Sequence, residues 1–204
     1  PTLDAGGNDT VCVDIDTIYL SSNVSNATSV IWSGGTGTYP NGNTGFSVEY
    51  VPNSNERVAG ATLAFTAETI GTGLCLDYTD QVFITFSEAP TVNAGQDITV
   101  CADRSSIDLN GIVTLANGGS WDAIQGSGSW SNQFNDTTSY FVFPTDTNNG
   151  GPIFLELTSN PYKDCKQYTD TIRIDFDPEP FVSAGDASIC ADVAGFNLNG
   201  SFTN

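Results

Sequence analysis

The chain has 204 residues, 39% hydrophobic and 11% aromatic, so it carries the apolar surface of a folded protein rather than a disordered tail. Only 14% are charged, and 24 acids against 5 bases give a formal net charge of −19. That balance argues against nucleic acid, whose phosphates need Lys and Arg, and against anionic lipid. No hydrophobic run is long enough to span a bilayer, so no direct membrane insertion is expected.

Taken from the N-terminus, the chain repeats. Pro1-Thr2-Leu3-Asp4-Ala5-Gly6, followed by Asp9-Thr10-Val11-Cys12, returns as Pro90-Thr91-Val92-Asn93-Ala94-Gly95 with Ile98-Thr99-Val100-Cys101. A third copy is Pro180-Phe181-Val182-Ser183-Ala184-Gly185 with Ser188-Ile189-Cys190. The steps are 89 and 90 residues, a period that signals an array of small domains. The expected units are 1–89, 90–179 and the N-terminal part of a third, 180–204. The chain starts and stops within this pattern and shows no basic-then-apolar leader, so it reads as a piece of a longer exported chain.

Within the first unit, strands are predicted near 9–12, 16–21, 28–33, 36–39, 46–51, 61–68 and 79–87. Val82, Ile84 and Phe86 alternate with Phe83 and Thr85, and Ile172, Ile174 and Phe176 alternate with Arg173 and Asp175. Period two with polar residues on one face is a half-buried strand. Ala61–Thr66 matches Ile153–Thr158, Trp32 matches Trp121, and Gly35–Tyr39 matches Gly126–Trp130. The last two matches imply a two-residue insertion near Asp122–Gln125, read as a surface loop. The 53–60 stretch is one helical turn at most. Seven short strands with a Trp on the third predict an all-β chain of tandem immunoglobulin-like or PKD-like sandwiches of about 90 residues. The Pro-containing junctions Ser87–Pro90 and Asp177–Pro180 should be semi-rigid.

The cysteines follow the period: Cys12 and Cys75 are 63 residues apart, Cys101 and Cys165 are 64, and Cys190 opens the third copy. The simplest pairing is one disulfide per unit, Cys12–Cys75 and Cys101–Cys165, in an oxidising extracellular setting. Pairing across the junctions, Cys75–Cys101 and Cys165–Cys190, also respects the period. It requires the bridge to span a final strand of about nine residues, roughly 30 Å, whereas bonded cysteines need Cα atoms within about 7 Å. Metal binding is the weaker rival, because there is no CxxC and no histidine.

The sequence resembles the repeats of very large Bacteroidetes surface proteins, among them the gliding-motility adhesin SprB and related type IX secretion cargo. The resemblance is carried by Pro90–Cys101, by Trp32-Ser33-Gly34-Gly35-Thr36-Gly37, by Tyr50-Val51-Pro52 and by Asp80–Phe86. Gly7-Asn8 departs from the usual residue-plus-Asp, and Trp121-Asp122-Ala123-Ile124 breaks the Trp-Ser-Gly-Gly run. The resemblance implies export across the outer membrane, anchoring at the cell surface and a stalk or filament role in adhesion and gliding. Its expected partners are neighbouring repeats of the same chain and surface polysaccharide or other cell-surface ligands.

No reaction centre is expected. Without histidine there is no nucleophile–His pair, and Gly34-Gly35-Thr36-Gly37 lacks the Lys of a phosphate loop, so it is a turn. Asp14, Asp16, Asp77, Asp80, Asp164 and Asp170 offer hard oxygens for a structural Ca²⁺, against a default of solvated charge. No other cofactor is expected. Bacteroidetes-type O-glycosylation of Asp-Thr before a small or aliphatic residue would fall at Thr10, Thr17, Thr137 and Thr171, although Thr beside Val and Ile is also ordinary strand composition. The alternative function is polysaccharide binding by the Gly-rich loops, where Tyr39 and Trp130 either face outward or, as favoured here, plug the core.

Overall fold

The computed structural model describes residues 1–148, 151–186, 188–192 and 194–203. They form two compact units. The first comprises Pro1–Thr91 with Val113–Asn117 and Ser159–Tyr168; the second comprises Val92–Ile112, Gly118–Thr158 and Thr169–Asn204. The 159–168 loop, which the period assigns to the second repeat, thus belongs to the first unit.

The first eight strands are β1 (Thr2–Asp4), β2 (Asp9–Cys12), β3 (Ile18–Ser21), β4 (Asn23–Ser25), β5 (Ser29–Gly34), β6 (Ser47–Tyr50), β7 (Thr62–Ile70) and β8 (Thr79–Ser87). One sheet has the order β2-β8-β7-β5, and β3-β6 and β1-β4 are separate pairs. β2 runs parallel to β8, while β8-β7, β7-β5, β3-β6 and β1-β4 are antiparallel. The alternation read in the sequence sets what is buried. Val82, Ile84 and Phe86 of β8 join Phe65 and Ala67 of β7, Ile18 and Leu20 of β3, and Val48 and Tyr50 of β6 in one core. Trp32 on β5 is fully buried in it, and its indole Nε1 donates to the Gly45 carbonyl at 3.1 Å. This is a sandwich, as predicted. The expected 36–39 strand is reduced to a single bridge between Thr38 and Val51. The 53–60 stretch makes no more than the one helical turn expected: the Asn53 carbonyl accepts the N–H groups of Glu56 (3.2 Å) and Arg57 (3.3 Å), and the Asn53 side-chain oxygen accepts those of Asn55 (2.9 Å) and Glu56 (3.3 Å).

The following elements are β9 (Thr91–Asn93), β10 (Ile98–Cys101), β11 (Ser106–Asn110), β12 (Ile112–Thr114), β13 (Gly119–Gln125), β14 (Ser129–Trp130), β15 (Thr137–Phe141), α1 (Pro144–Asn148), β16 (Ile153–Ser159), β17 (Thr169–Asp177), β18 (Phe181–Ser183) and β19 (Ser201–Thr203). The plan recurs: β10-β17-β16-β13 in one sheet and β11-β15-β14 in another, with β10 parallel to β17. Trp121, Tyr140, Leu109, Leu155, Leu157 and Ile174 are buried here, and Trp121 Nε1 donates to the Asp136 carbonyl at 2.9 Å. The inserted residues near Asp122–Gln125 do not form a loop; they lengthen β13.

The repeated opening stretch is one turn built three times. A side-chain oxygen two residues before the glycine accepts its N–H: Asp4 to Gly6 at 2.9 Å, Asn93 to Gly95 at 2.8 Å, Ser183 to Gly185 at 3.3 Å. The glycines have φ of +87°, +101° and +71°, the left-handed region that a Cβ disfavours. The preceding alanine is held from across the fold: Ala5 N–H donates to Asp80 and Ala94 N–H to Asp170, each at 2.8 Å. Asn8 and Asp97 also play one part, their Oδ1 atoms accepting the N–H of Phe83 and Arg173 at 2.9 Å. Asn8 is therefore a faithful substitute for the expected Asp.

The disulfide assignment is corrected. Cys12 bonds Cys165, with Cα atoms 5.0 Å apart, and Cys75, Cys101 and Cys190 are free. The reason is the parallel register of β2 against β8. Cys12 lies opposite Ser87, the final residue of β8, whereas Cys75 precedes its first residue, Thr79. Nine strand residues, roughly 27 Å, separate the two ends, well beyond disulfide reach. Cys101 opposite Asp177 and Cys165 ahead of Thr169 repeat the problem on the nine-residue β17. No described helix is long and apolar enough to cross a membrane.

Candidate functional site

The chemistry of the first unit concentrates where β2 ends. The 159–168 loop is shaped by its own hydrogen bonds. Ser159 N–H donates to the Tyr168 carbonyl at 2.8 Å, Tyr168 N–H to Ser159 Oγ at 3.0 Å, and Cys165 N–H to the Tyr162 carbonyl at 3.0 Å. Thus fixed, it offers Cys165 to Cys12, which is fully buried. Polar groups flank the bridge on both sides. Cys12 N–H donates to Asp164 Oδ1 at 3.2 Å. Asp14 Oδ2 accepts both the Lys166 N–H at 3.0 Å and the Tyr168 hydroxyl at 2.9 Å. Burial first, and then the Asp14 carboxylate it donates to, raise the Tyr168 pKa above its ordinary value, so the hydroxyl keeps its proton. Outside this, Asp16 pairs with Lys166 at 2.9 Å and Arg57 at 3.7 Å. Its hydrogen bond from Lys166, with that ammonium's charge, holds the exposed Asp16 carboxyl below its ordinary range. The arrangement is a clasp: a covalent bond closing 153 residues, oriented by carboxylates.

Of the six aspartates considered for a cation, Asp14, Asp16 and Asp164 surround this clasp, where each has a donor partner. Asp80 and Asp170 fix the opening turns, and Asp77 accepts the Thr72 hydroxyl at 3.1 Å in the exposed loop that carries Cys75. Cys12, Asp14 and Cys165 present ligand-type atoms within 4.8 Å of one another, but both sulfurs are spent in the disulfide. Of the threonines considered for glycans, Thr10 on β2, Thr137 at the start of β15 and Thr171 on β17 are exposed, and Thr17 is half-buried.

A second constellation escaped the sequence reading. Glu56 and Asp146 are almost fully buried acids, each six residues beyond a buried tyrosine. The Tyr50 hydroxyl donates to Glu56 at 2.7 Å and accepts the Gly37 N–H at 2.6 Å, while Thr36 N–H donates to Glu56 at 2.5 Å. In the second unit the Tyr140 hydroxyl donates to Asp146 at 3.1 Å and accepts the Gly128 N–H at 2.7 Å, and Ser127 N–H donates to Asp146 at 2.6 Å. Burial opposes the charge on both acids. The N–H donors of Thr36 and Asn53 with the Tyr50 hydroxyl, and of Phe143 and Ser127 with Tyr140, outweigh it and hold both below their ordinary values. Burial, reinforced by these carboxylates, pushes Tyr50 and Tyr140 up to about 12. Glycine is required at the loop's closest approach: a Cβ on Gly37 would lie 2.2 Å from the Val51 carbonyl oxygen, and one on Gly128 would lie 2.1 Å from that of Phe141. The signal available in the sequence was the spacing itself, an acid six positions after Tyr in both repeats. Tyr39 and Trp130 are half-buried, packed edge-on against Tyr50 at 5.0 Å and Tyr140 at 4.9 Å. They plug their Gly-rich loops.

The sequence matches no known protein family, and no curated protein is recognisably related to it. Solved structures with a similar arrangement include the fibronectin(III)-like modules of Clostridium thermocellum CbhA (13% identity, 87% of this chain, 94% of that one, TM-score 0.38). Others are the D00-D0 domain of intimin (12%, 86% and 98%, TM-score 0.38) and mouse cadherin-23 EC22-24 (9%, 85% and 64%, TM-score 0.34).

Proposed function

We propose that this chain is a structural repeat segment of a long, secreted bacterial cell-surface adhesin or filament, a stalk for surface adhesion and gliding motility. The observation that carries the reading is the clasp. Its bond joins Cys12 of the first repeat to Cys165 of the second, so tension along the array meets a covalent link as well as the peptide junction. A disulfide placed there suits an extracellular array under pull more than a binding pocket or a reaction site. In this reading 1–89, 90–179 and 180–204 are successive repeats, Asp14, Asp16 and Asp164 flank the clasp, Asp80 and Asp170 fasten the opening turns, and the net charge of −19 favours solubility and mutual repulsion. Export across the outer membrane by a type IX route, in a Bacteroidetes cell, is the setting that the repeat motifs suggest.

Polysaccharide binding by the Gly-rich loops is the weaker reading, because the N–H groups of Thr36, Gly37, Ser127 and Gly128 already serve Glu56, Tyr50, Asp146 and Tyr140. Two measurements separate them. The isolated chain should give no signal on a glycan array, and deleting one repeat from the full-length protein should shorten the surface structure while attachment survives. Saturable glycan binding abolished by Tyr39→Ala or Trp130→Ala would replace the stalk reading with the binding one.

A further inference from the structure

Each repeat carries two pieces of the clasp. One, at the end of its first strand, is Cys-x-Asp: Cys12-Val13-Asp14, Cys101-Ala102-Asp103 and Cys190-Ala191-Asp192. The other, in the loop before its last strand, is Cys-x-x-Tyr: Cys75 to Tyr78 and Cys165 to Tyr168. The closed clasp uses one of each, with Cys12 on Cys165 and Asp14 on Tyr168.

The unused pieces have the same backbone as the used ones. On the strand side, Val13 N–H donates to the Ser87 carbonyl at 3.0 Å and Ala102 N–H to that of Asp177 at 2.9 Å. The residue after each Asp donates to its cysteine's carbonyl, Ile15 to Cys12 at 3.2 Å and Arg104 to Cys101 at 3.1 Å. On the loop side, Thr69 N–H donates to the Tyr78 carbonyl at 2.9 Å and Tyr78 N–H to Thr69 Oγ1 at 2.7 Å, reproducing the pair between Ser159 and Tyr168. What differs is cover. Cys12 is fully buried whereas Cys75 and Cys101 are exposed, and around Cys75 the side chains of Leu74 (106%), Leu76 (89%) and Tyr78 (55%) stand open to solvent.

We infer that the clasp belongs to a periodic series in which the first-strand cysteine of each repeat bonds the loop cysteine of the repeat after it. Cys101 is then an open half awaiting the loop of a following repeat, and Cys75 is an open half awaiting the first strand of a preceding one. Tyr78 would donate to the incoming Cys-x-Asp carboxylate as Tyr168 does to Asp14. Leu74, standing where Asp164 does, cannot accept the cysteine N–H; that clasp instead buries two leucines. The inference concerns how repeats are joined and holds whatever the array adheres to.

Closing such a bond removes two electrons and two protons from two thiols, and a low-molecular-weight disulfide such as oxidised glutathione takes them. The Cys75 thiolate attacks it, releasing one small thiol and leaving a mixed disulfide, which the Cys101 thiolate of another molecule displaces, releasing the second.

Two variants of the 204-residue chain test this, Cys75→Ser/Cys190→Ser with only the strand half and Cys101→Ser/Cys190→Ser with only the loop half. They are mixed in a glutathione redox buffer, resolved by non-reducing electrophoresis and mapped by mass spectrometry of linked peptides. A heterodimer bonded Cys101–Cys75 should exceed either homodimer. Tyr78→Phe or Asp103→Ala should cut that excess about tenfold, the worth of one hydrogen bond to a carboxylate, with labelling by a small thiol reagent unchanged. A statistical mixture indifferent to both substitutions, monomers throughout, or a Cys75–Cys101 bridge inside the monomeric unmutated chain would overturn the inference.

Discussion

Cys12 and Cys101 occupy one position in two copies of the same fold, ending β2 and β10, which run parallel to β8 and β17. One is buried in a disulfide and the other is exposed and free. Their own strands do not explain the difference, since register and flanking hydrogen bonds agree. The difference lies in the loop that arrives, 159–168 for Cys12. The Tyr–carboxylate ties behave oppositely: Glu56 and Asp146 differ by a methylene yet hold their Gly-rich loops in the same way. The Tyr–carboxylate tie is present in both units, whereas among the described residues the disulfide closes on Cys12 and leaves Cys101 free.

That contrast can be broken in three steps of decreasing size. Cys12→Ser should lower stability to denaturant by about 2–5 kcal/mol, through the lost closure of a long loop, while Cys101→Ser should stay within about 0.5 kcal/mol. Equal effects would mean that the free cysteine is also bonded. Glu56→Ala and Asp146→Ala should each cost about 1–3 kcal/mol by stranding buried donors, and here the two repeats should respond alike. These acids also set an acid limit. Both are held below their ordinary values, so their stabilisation is present above the unfolded-state values, 4.5 for Glu56 and 3.8 for Asp146, and is lost as pH falls through the lower folded-state ones. Urea midpoints between pH 7 and pH 3 should decline, and Glu56→Gln with Asp146→Asn should flatten that decline. Smallest is the clasp tyrosine: Tyr168→Phe should cost about 1 kcal/mol and Tyr78→Phe close to nothing, because only Tyr168 has its carboxylate partner.

Much of the fold was legible in the residues. The alternation in Val82–Phe86 and Ile172–Phe176 gave the last strand of each repeat, and Trp32 and Trp121 are buried where the third predicted strand puts them. The opening turn could be seen as a motif but not as a turn held by Asp80 and Asp170, since an acid 75 or 76 residues away declares no partner. The cysteines misled for a specific reason. Their period is compatible with several pairings, and only the parallel placement of β2 on β8 puts Cys12 at the far end of that strand from Cys75. Parallel pairing of strands some seventy residues apart leaves no trace in local composition. The buried acids stayed hidden because Glu56 and Asp146 look like ordinary surface charge until the tyrosines six positions before them are aligned.

The most direct measurement is peptide mapping of the oxidised chain after blocking free thiols with an alkylating reagent, without reduction. A Cys12–Cys165 linked peptide is expected, with Cys75 and Cys101 recovered alkylated in the monomer. Recovery of Cys12 bonded to Cys75 together with Cys101 bonded to Cys165 would contradict it, returning each staple to its own repeat.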